Sequence, residues 1–182
     1  MHINDNTIID SNYAPSIYPQ LLASKHGYQQ VMWLWGTNHQ ICEVGTMNIF
    51  FFLKQKDGTK ELVTPSLDGT ILPGVTRDSI LHLAREWNEF QVSERTITMD
   101  EVLEALHEKR LIEAFGAGTA AIVSPVEGIH FENKEHKVPL DRDDPNAKAG
   151  KLAVRIMKTI MGIQYGKIDH PWSMVISPPQ KK

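Results

Sequence analysis

The chain has 182 residues, a formal net charge of −3, and 41% hydrophobic and 23% charged residues. This composition is ordinary for one globular domain with or without an arm, and the weak negative charge gives no general attraction to nucleic acid or to anionic membranes. Cys42 is the only cysteine, which excludes an internal disulfide and a four-cysteine zinc site, and no apolar run approaches the roughly 20 residues of a membrane span.

The N-terminal residues 1–11 are polar and show no hydrophobic periodicity, so we expect them to form an arm apart from the folded domain. They lack the basic region and apolar stretch of a signal peptide, and they lack the arginines of a transit peptide. The simplest expectation is therefore an intracellular protein. Residues 12–182 contain no repeat, low-complexity tract or internal linker, so we expect one domain there.

The first half of this domain is predicted to hold one helix and three strands. In chain order, these elements are predicted over residues 14–26, 30–35, 41–55 and 60–64. The helix has apolar residues at helical spacing and ends at Gly27, whereas the strands are rich in aromatic and β-branched residues. Asp57 and Gly58 predict a hairpin turn before the last strand, because glycine accepts the positive φ that such a turn requires.

The second half of the domain is predicted to mix helices with short strands. Helices are predicted over residues 75–87, 99–108 and 147–161. Strands are predicted over residues 91–97, 111–115, 120–123 and 128–131, and a loop over residues 141–145. Thr98 and Glu101 form a capping-box pattern before the second of these helices. Strands slightly outnumber helices, and the hairpins favour mixed or antiparallel pairing, which predicts an α+β fold.

Glu43 places a carboxylate inside the predicted strand over residues 41–55. Its flanks, residues 31–35 and 49–53, are apolar runs typical of strands that are covered on both faces. A lone carboxylate in such a setting is unfavourable unless a cation or several donors pair with it, and a protonated ring nitrogen of a cofactor would serve. The alternative is a glutamate whose head group reaches solvent at the end of a strand.

Two glycine-containing segments are candidates to hold a phosphate. Residues 72–77 (LPGVTR) lie where a helix is predicted to begin, and a helix N-terminus offers free N–H groups and a positive dipole end, to which Thr76 adds a hydroxyl and Arg77 a charge. Residues 116–120 (GAGTA) are predicted to form a loop whose small residues allow close backbone approach to a ligand. Neither follows the Walker or dinucleotide pattern, and a plain turn is the alternative for each. Together with Glu43, they suit a compact phosphorylated aromatic cofactor.

The chain resembles the C-terminal portion of the branched-chain amino-acid aminotransferases, which are fold-type IV enzymes that use pyridoxal phosphate. Five stretches carry the resemblance in one order, namely residues 12–16 (NYAPS), 43–48 (EVGTMN), 72–77 (LPGVTR), 116–120 (GAGTA) and 163–166 (IQYG). The resemblance implies that residues 12–182 are the class IV C-terminal domain, with residues 1–11 as unrelated or disordered sequence and the family's N-terminal domain absent. The implied fold is D-amino-acid-aminotransferase-like, a mixed β-sheet or barrel with flanking helices.

The resemblance implies roles for four residues near the ring of pyridoxal 5'-phosphate. Glu43 matches the carboxylate that faces the pyridine nitrogen and keeps it protonated, which makes the ring an electron sink. Tyr13 matches the tyrosine that hydrogen-bonds the ring oxygen, and Leu72 matches the residue that packs on the ring face. Thr46 matches a threonine between the cofactor and the catalytic lysine. The alternatives are an ordinary helix-start aromatic for Tyr13, a core residue for Leu72 and a strand residue for Thr46.

The remaining implied roles concern the phosphate and the substrate. Val75 and Thr76 match the helix-start amides that hold the phosphate, and Thr119 matches the hydroxyl that assists them. Ala120 matches a backbone contact to the substrate carboxylate. The implied substrates are leucine, isoleucine and valine with 2-oxo acids such as 2-oxoglutarate, and no metal is implied. The resemblance also implies a homodimer, or pairing with a full-length subunit, in the cytoplasm or the mitochondrion.

The chain departs from the family at the position of the catalytic lysine, four residues before Asn12, where it has Ile8. Isoleucine can neither form the Schiff base with the cofactor nor shuttle a proton, so we expect no catalytic residue in this chain and no activity of the chain alone. Three hypotheses stay open: a fragment of an active transaminase, a non-catalytic partner that regulates the full-length subunit, and an inert truncated product.

Overall fold

The computed structural model describes residues 14–174 and 176, which form four helices and nine strands. In chain order these elements are α1 (Ala14–Lys25), β1 (Met32–Trp35), β2 (Gln40–Val44), β3 (Met47–Lys54), β4 (Lys60–Thr64), α2 (Val75–Trp87), β5 (Gln91–Glu94), α3 (Met99–His107), β6 (Leu111–Gly118), β7 (Ile122–Pro125), β8 (Gly128–Phe131), β9 (Lys134–Lys137) and α4 (Lys151–Gln164). The predicted arm over residues 1–11, with Ile8, and the predicted site residue Tyr13 lie outside the described residues. No helix in the described part of the chain is long and apolar enough to cross a membrane.

Seven strands form one branched sheet around β3. The path through the sheet is β1-β2-β3-β4-β5, in which β2 pairs with the first residues of β3 and β4 pairs with its last residues, along the same edge. β6 pairs along the opposite edge of β3, and β7 pairs with β6. Only the β4–β5 pair is parallel; the other pairs in this sheet are antiparallel. After β5 the chain returns to β2, where the Ile41 backbone nitrogen donates to the Ile97 carbonyl oxygen at 2.9 Å.

This architecture confirms the predicted α+β class with a mixed sheet and flanking helices. The described strands form a branched sheet and a separate β8–β9 hairpin. The predicted hairpin at Gly58 is confirmed, since Lys54 and Lys60 pair across it and Gly58 has a φ of 94°. The predicted cap of α3 is also confirmed, because the Thr98 side chain accepts a hydrogen bond from the Glu101 backbone nitrogen.

The core has two layers, one on each face of β3, because successive side chains of a strand point to opposite faces. Phe50 and Phe52 pack with α2 and α4 on one face, and the ring centroids of Phe50 and Phe115 lie 5.3 Å apart. Ile49 and Phe51 pack with α3 on the other face. The apolar run in β3 is therefore a strand buried on both faces, as its composition predicts.

The single strand predicted over residues 41–55 is wrong, because two strands and a tight turn occupy this range. β2 ends at Val44 and β3 begins at Met47, and the two form an antiparallel hairpin. Gly45 turns the chain with a φ of 57°, which L side chains rarely adopt. The Trp33 side chain holds this turn, since its Nε1 donates to the Gly45 carbonyl oxygen at 2.8 Å. Glu43 therefore lies close to a turn, near the end of β2.

The loop predicted over residues 116–120 is also largely wrong, because its first three residues complete β6. Gly116 pairs with Ile49 of β3, and the chain turns only after Gly118. A Cβ on Gly116 would lie 3.0 Å from Met47 Cε and 3.1 Å from Val44 Cγ1. The glycine at position 116 therefore lets the β2–β3 hairpin pack closely on β6.

Two other elements differ from the prediction. β9 was not predicted; it pairs with β8 through a turn in which Glu132 and Asn133 have φ angles of 49° and 60°. α4 begins at Lys151, later than the predicted residue 147. The reason is a buried carboxylate from β6: Glu113 accepts hydrogen bonds from the Leu152 and Ala153 backbone nitrogens at 2.9 and 3.1 Å, which caps the helix.

Candidate functional site

The Glu43 carboxylate joins β2 to the loop that precedes α2. Its Oε1 accepts hydrogen bonds from the Leu72 backbone nitrogen at 2.9 Å and from Asn48 Nδ2 at 3.2 Å. Within the described part of the chain, no group donates a hydrogen bond to Oε2. Glu43 is thus partly buried, with Oε1 held by two donors and with Oε2 free of donors from the described residues.

Burial determines the acid–base behaviour of this carboxylate. Desolvation raises the pKa of Glu43 above its usual value, and the hydrogen bond from the Leu72 backbone nitrogen only partly opposes this effect. A raised pKa means that the surroundings destabilise the charged form. A cationic group placed next to Glu43 would favour that form, so the carboxylate is suited to a protonated nitrogen of a ligand.

Asn48 is a component of the site to which sequence reasoning gave no role. It is 5% exposed, and its Nδ2 also donates to the Leu72 carbonyl oxygen at 2.9 Å. Its backbone pairs with Glu43 on one side and with Ala117 on the other. The available signal was an amide side chain inside an apolar strand, because a buried amide has to find hydrogen-bonding partners.

The start of α2 offers free backbone amides. Gly74 is the N-cap residue, with φ −65° and ψ 135°, and no side chain caps the helix. The first N–H groups of a helix have no partner within it, and here they belong to Val75 and Thr76. Val75 is 75% exposed and Thr76 is half-buried, so the start of α2 lies at the protein surface. A Cβ on Gly74 would collide with Asn48 Oδ1, so glycine is needed where α2 approaches β3.

The Arg77 side chain does not contribute a charge to this helix start, and the prediction that it does is wrong. Arg77 is 3% exposed, and its Nη2 donates to the Pro65 carbonyl oxygen at 2.9 Å and to Glu94 Oε2 at 2.8 Å. The position lies on the buried face of α2, together with Ile80 and Leu81. The guanidinium therefore ties α2 to the segments around β4 and β5.

Thr46, Thr119 and Ala120 form a second group beside the first. Thr46 lies in the β2–β3 turn, and Thr119 and Ala120 follow the end of β6; all three are exposed. Met47 connects the two segments, because a Cβ on Gly118 would lie 3.1 Å from Met47 Cγ. Among the described residues, no hydrogen bond joins Thr119 or Ala120 to Glu43 or to the start of α2.

The structure thus arranges the predicted site residues in two neighbouring groups. Glu43, Leu72, Val75 and Thr76 are connected through hydrogen bonds and through the short segment from Leu72 to the start of α2. The group of Thr46, Thr119 and Ala120 is linked to them by the pairing of Asn48 with Ala117. Leu72 is 40% exposed, so it is not an ordinary core residue.

Two other buried carboxylates serve the fold. Glu113 caps α4, and burial raises its pKa. Glu61 is 2% exposed, and Arg95 Nη2 donates to it at 3.0 Å. Desolvation raises the pKa of Glu61, but the hydrogen bonds from Arg95, Ser93 and Gln55 together with the Arg95 charge outweigh it, so the pKa is lowered. Among the described residues, no group of three or more histidine, cysteine, aspartate or glutamate side chains is arranged to hold a metal ion.

Comparison with known proteins supports the fold and the origin of the chain. The Amino-transferase class IV profile matches residues 4–129. The branched-chain-amino-acid aminotransferase of Dictyostelium discoideum is 51% identical over 169 residues, which cover 92% of this chain and 43% of that protein. The corresponding protein of Monosiga brevicollis is 52% identical over 172 residues, which cover 94% of this chain and 43% of that protein. The chain therefore spans less than half the length of these curated relatives.

Solved structures agree with the sequence relatives. The crystal structure of the Escherichia coli branched-chain amino acid aminotransferase matches with a TM-score of 0.69 and 30% identity, over 93% of this chain and 50% of that chain. These matches confirm the fold-type IV expectation and the resemblance to branched-chain aminotransferases. The chain belongs to the class IV aminotransferase family.

Proposed function

We propose that the described residues form the ring and phosphate side of a pyridoxal 5'-phosphate site. The enzyme built on this site transfers amino groups between leucine, isoleucine or valine and 2-oxoglutarate. Family membership and the names of the curated relatives support the reaction class. The observation that carries the proposal is the hydrogen bond from the Leu72 backbone nitrogen to Glu43 Oε1, since it joins a carboxylate to the start of a helix with free amides.

The residues present fit this cofactor at both ends. Glu43 has one carboxylate oxygen free of donors from the described residues, which suits a protonated ring nitrogen. Val75 and Thr76 would hold the phosphate through the amides at the start of α2, where no side chain caps the helix. Leu72 would pack on the ring face. When bound, the cofactor supplies an electron sink for negative charge at the substrate α-carbon.

Each residue of the site has a proposed role toward the cofactor or the substrate. Glu43 would hold a proton at the ring nitrogen of the bound cofactor, which would keep the ring electron-poor. Tyr13 is proposed to hydrogen-bond the ring oxygen and Thr119 to assist at the phosphate. Thr46 is proposed to lie between the cofactor and the position of the catalytic lysine, and the backbone of Ala120 to contact the substrate carboxylate. These four roles rest on the resemblance, with Thr46, Thr119 and Ala120 lying in the second, exposed group.

We propose further that this chain alone does not complete the reaction. Ile8 stands where the resemblance expects the catalytic lysine, and a hydrocarbon side chain can neither link to the cofactor nor move a proton. In this proposal, residues 1–11 are a separate arm and residues 12–182 are the C-terminal domain. The family profile begins its match at residue 4, within that arm.

An exposed apolar face on α1 supports association with a second subunit. Ile17, Tyr18 and Leu21 are 64%, 67% and 49% exposed, an unusual density of exposed apolar residues on one short helix. A homodimer or a pair with a full-length subunit would cover this face. In the second case the chain is a non-catalytic, regulatory partner, and an inert product is the remaining alternative.

Relatives include cytosolic and mitochondrial enzymes, and we propose one of these compartments for this protein.

Binding of pyridoxamine 5'-phosphate to the purified chain tests the proposed site. This amine form of the cofactor requires no lysine, so its binding reports on the ring and phosphate contacts alone. Val75→Pro removes one amide at the first helical position, where proline is tolerated, and Val75→Ala keeps that amide as the matched control. We expect calorimetry to show binding to the wild type, an about tenfold loss for Val75→Pro and little change for Val75→Ala. No binding to the wild type contradicts the proposed function.

Amino transfer from leucine to 2-oxoglutarate tests the assignment of Ile8. With added pyridoxal 5'-phosphate, the chain alone is expected to show no turnover above the rate with free cofactor. Turnover by this chain, or covalent attachment of the cofactor to one of its lysines after borohydride treatment, contradicts the assignment.

A further inference from the structure

The Asn48 side chain donates two hydrogen bonds from within an apolar strand. It is 5% exposed, and it lies on the same face of β3 as Phe50, two residues further along. Its Nδ2 donates both to Glu43 Oε1, at 3.2 Å, and to the Leu72 carbonyl oxygen, at 2.9 Å. The Leu72 carbonyl oxygen can only accept, so the amide is oriented with its nitrogen toward both partners.

These contacts close a triangle between three separate parts of the chain. Leu72 donates its backbone N–H to the same Glu43 oxygen that Asn48 contacts. The Leu72 carbonyl oxygen also accepts a hydrogen bond from the Gly74 backbone nitrogen at 2.8 Å. Gly74 is the N-cap residue of α2, and it lies so close to Asn48 that a Cβ on it would collide with Asn48 Oδ1. Asn48 therefore contacts the carboxylate, the loop and the helix start together.

We infer that Asn48 is a positioning residue that holds the Glu43 carboxylate and the start of α2 in one arrangement. This inference rests on the proposed function, because it assigns the two ends of the arrangement to the ring nitrogen and the phosphate of one cofactor. A rigid cofactor requires its ring-nitrogen partner and its phosphate donors at a fixed separation. The Asn48 amide fixes that separation through the hydrogen bonds it donates from β3.

The acid–base behaviour of Glu43 gives a test without any ligand. The Asn48 hydrogen bond favours the charged form of the carboxylate, so Asn48→Leu is expected to raise the pKa of Glu43 above its wild-type value. Phe51→Leu is the control, because this residue is fully buried in the same strand but points to the opposite face. It is expected to destabilise the fold and leave the pKa unchanged. Carbon-13 NMR titration of the glutamate carboxyl groups measures both.

The outcomes of the titration are distinct. Equal pKa values for Glu43 in the wild type and in Asn48→Leu overturn the inference, as does an equal rise in Phe51→Leu. If Asn48→Leu does not fold, Asn48→Ser replaces it, since serine is smaller and keeps one donor. An intermediate rise is then expected, and a pKa of Glu43 that stays at the wild-type value overturns the inference.

Ligand binding separates the positioning role from a general effect on α2. Pyridoxamine 5'-phosphate spans both ends of the arrangement, whereas inorganic phosphate contacts only the helix start. Asn48→Leu is expected to lower the affinity for pyridoxamine 5'-phosphate about tenfold, with little change for inorganic phosphate. Equal losses for both ligands, or no loss, overturn the inference.

The same measurements separate this inference from the proposed function. A wild-type chain that binds no pyridoxamine 5'-phosphate defeats the proposed function, and the cofactor role of Asn48 with it. A wild-type chain that binds normally, combined with Asn48 variants of unchanged affinity and an unshifted pKa of Glu43, defeats only the inference about Asn48.

Discussion

Glu43 Oε1 lies 2.9 Å from the Leu72 backbone nitrogen, so the carboxylate near the end of β2 is hydrogen-bonded to the segment that leads into α2. The two residues are far apart in sequence, and this contact connects the two ends of the candidate site. It also explains how a buried carboxylate is accommodated in an apolar strand, since a backbone donor and the Asn48 amide compensate part of the cost of desolvation.

Gly74→Ala is expected to disturb the start of α2. A Cβ at this position would collide with Asn48 Oδ1, and Asn48 is fixed by two hydrogen bonds and cannot move away cheaply. We expect a loss of unfolding free energy of about 1–3 kcal/mol, together with weaker binding of pyridoxamine 5'-phosphate. Gly128→Ala is the control, because its Cβ would meet no atom closer than 3.5 Å. Equal stability of the two variants in urea denaturation contradicts the packing described for Gly74.

Arg77→Met is expected to separate the fold from ligand binding. The substitution removes the hydrogen bonds to the Pro65 carbonyl oxygen and to Glu94, so unfolding free energy is expected to fall by about 1–3 kcal/mol. Binding of inorganic phosphate is expected to change little, because the guanidinium is buried and hydrogen-bonded to the Pro65 carbonyl oxygen and to Glu94. A large loss of phosphate affinity in a folded Arg77→Met variant would show that Arg77 does act at the phosphate site.

Glu113 is expected to make stability depend on pH. Burial raises the pKa of Glu113 in the folded state, so the folded protein binds more protons than the unfolded chain between the usual pKa and the raised one. The stabilisation that Glu113 adds to the free energy of unfolding is therefore fully present below the usual glutamate pKa. It is lost as the pH rises through the raised value. Other carboxylates, among them Glu61 and Glu94, have lowered pKa values and contribute the opposite trend, so the effect of Glu113 has to be measured as a difference between the wild type and a variant.

Glu113→Gln is the variant that isolates this effect. Glutamine does not titrate, so the denaturation midpoint of the wild type minus that of Glu113→Gln is expected to fall as the pH rises through this range. Glutamine also offers one acceptor oxygen where glutamate has two for the Leu152 and Ala153 amides, so the variant is expected to be less stable at acidic pH. Glu127→Gln, at an exposed position, is the control. An identical pH dependence in the wild type and in Glu113→Gln contradicts this account.

Sequence patterns predicted the elements that rest on local periodicity. The helix from Val75 follows from apolar residues at helical spacing, and the buried strand β3 follows from its run of aromatic residues. The sequence patterns predicted β2 and β3 as one strand, because the turn at Gly45 lacks the Asn-Gly or Asp-Gly pair that marks most tight hairpins. The position of a two-residue turn within a long apolar stretch depends on the pairing partners, which local sequence does not reveal.

The candidate site was predictable in its members but not in its connections. The motifs around Glu43 and Val75 identified a carboxylate and a helix start, and the structure joins them through Leu72. Arg77 was misplaced because a basic residue near a helix start is usually exposed, whereas here Glu94 neutralises it in the interior. Asn48 received no role because its partners lie on two other segments, and only the tertiary structure brings them together.

Leu21→Arg is expected to prevent association through α1. Leu21 is 49% exposed on a helix whose neighbouring apolar residues are also exposed, and a charge there would have to be desolvated in any interface. Sedimentation velocity is expected to show an associated wild-type chain and a dissociated Leu21→Arg variant. Leu67→Arg, at a residue 47% exposed in another segment, is the matched control and is expected to keep the wild-type sedimentation. Identical behaviour of the two variants contradicts a role for α1.

The protonation state of the ring nitrogen of bound pyridoxamine 5'-phosphate tests the central claim most directly. Nitrogen-15 NMR of the labelled ligand is expected to show a protonated ring nitrogen with the wild-type chain, at a pH where the free ligand has lost that proton. With Glu43→Gln, which keeps the size but removes the charge, the bound ligand is expected to be unprotonated at the same pH. The same protonation state in both complexes would contradict the pairing of Glu43 with the cofactor ring.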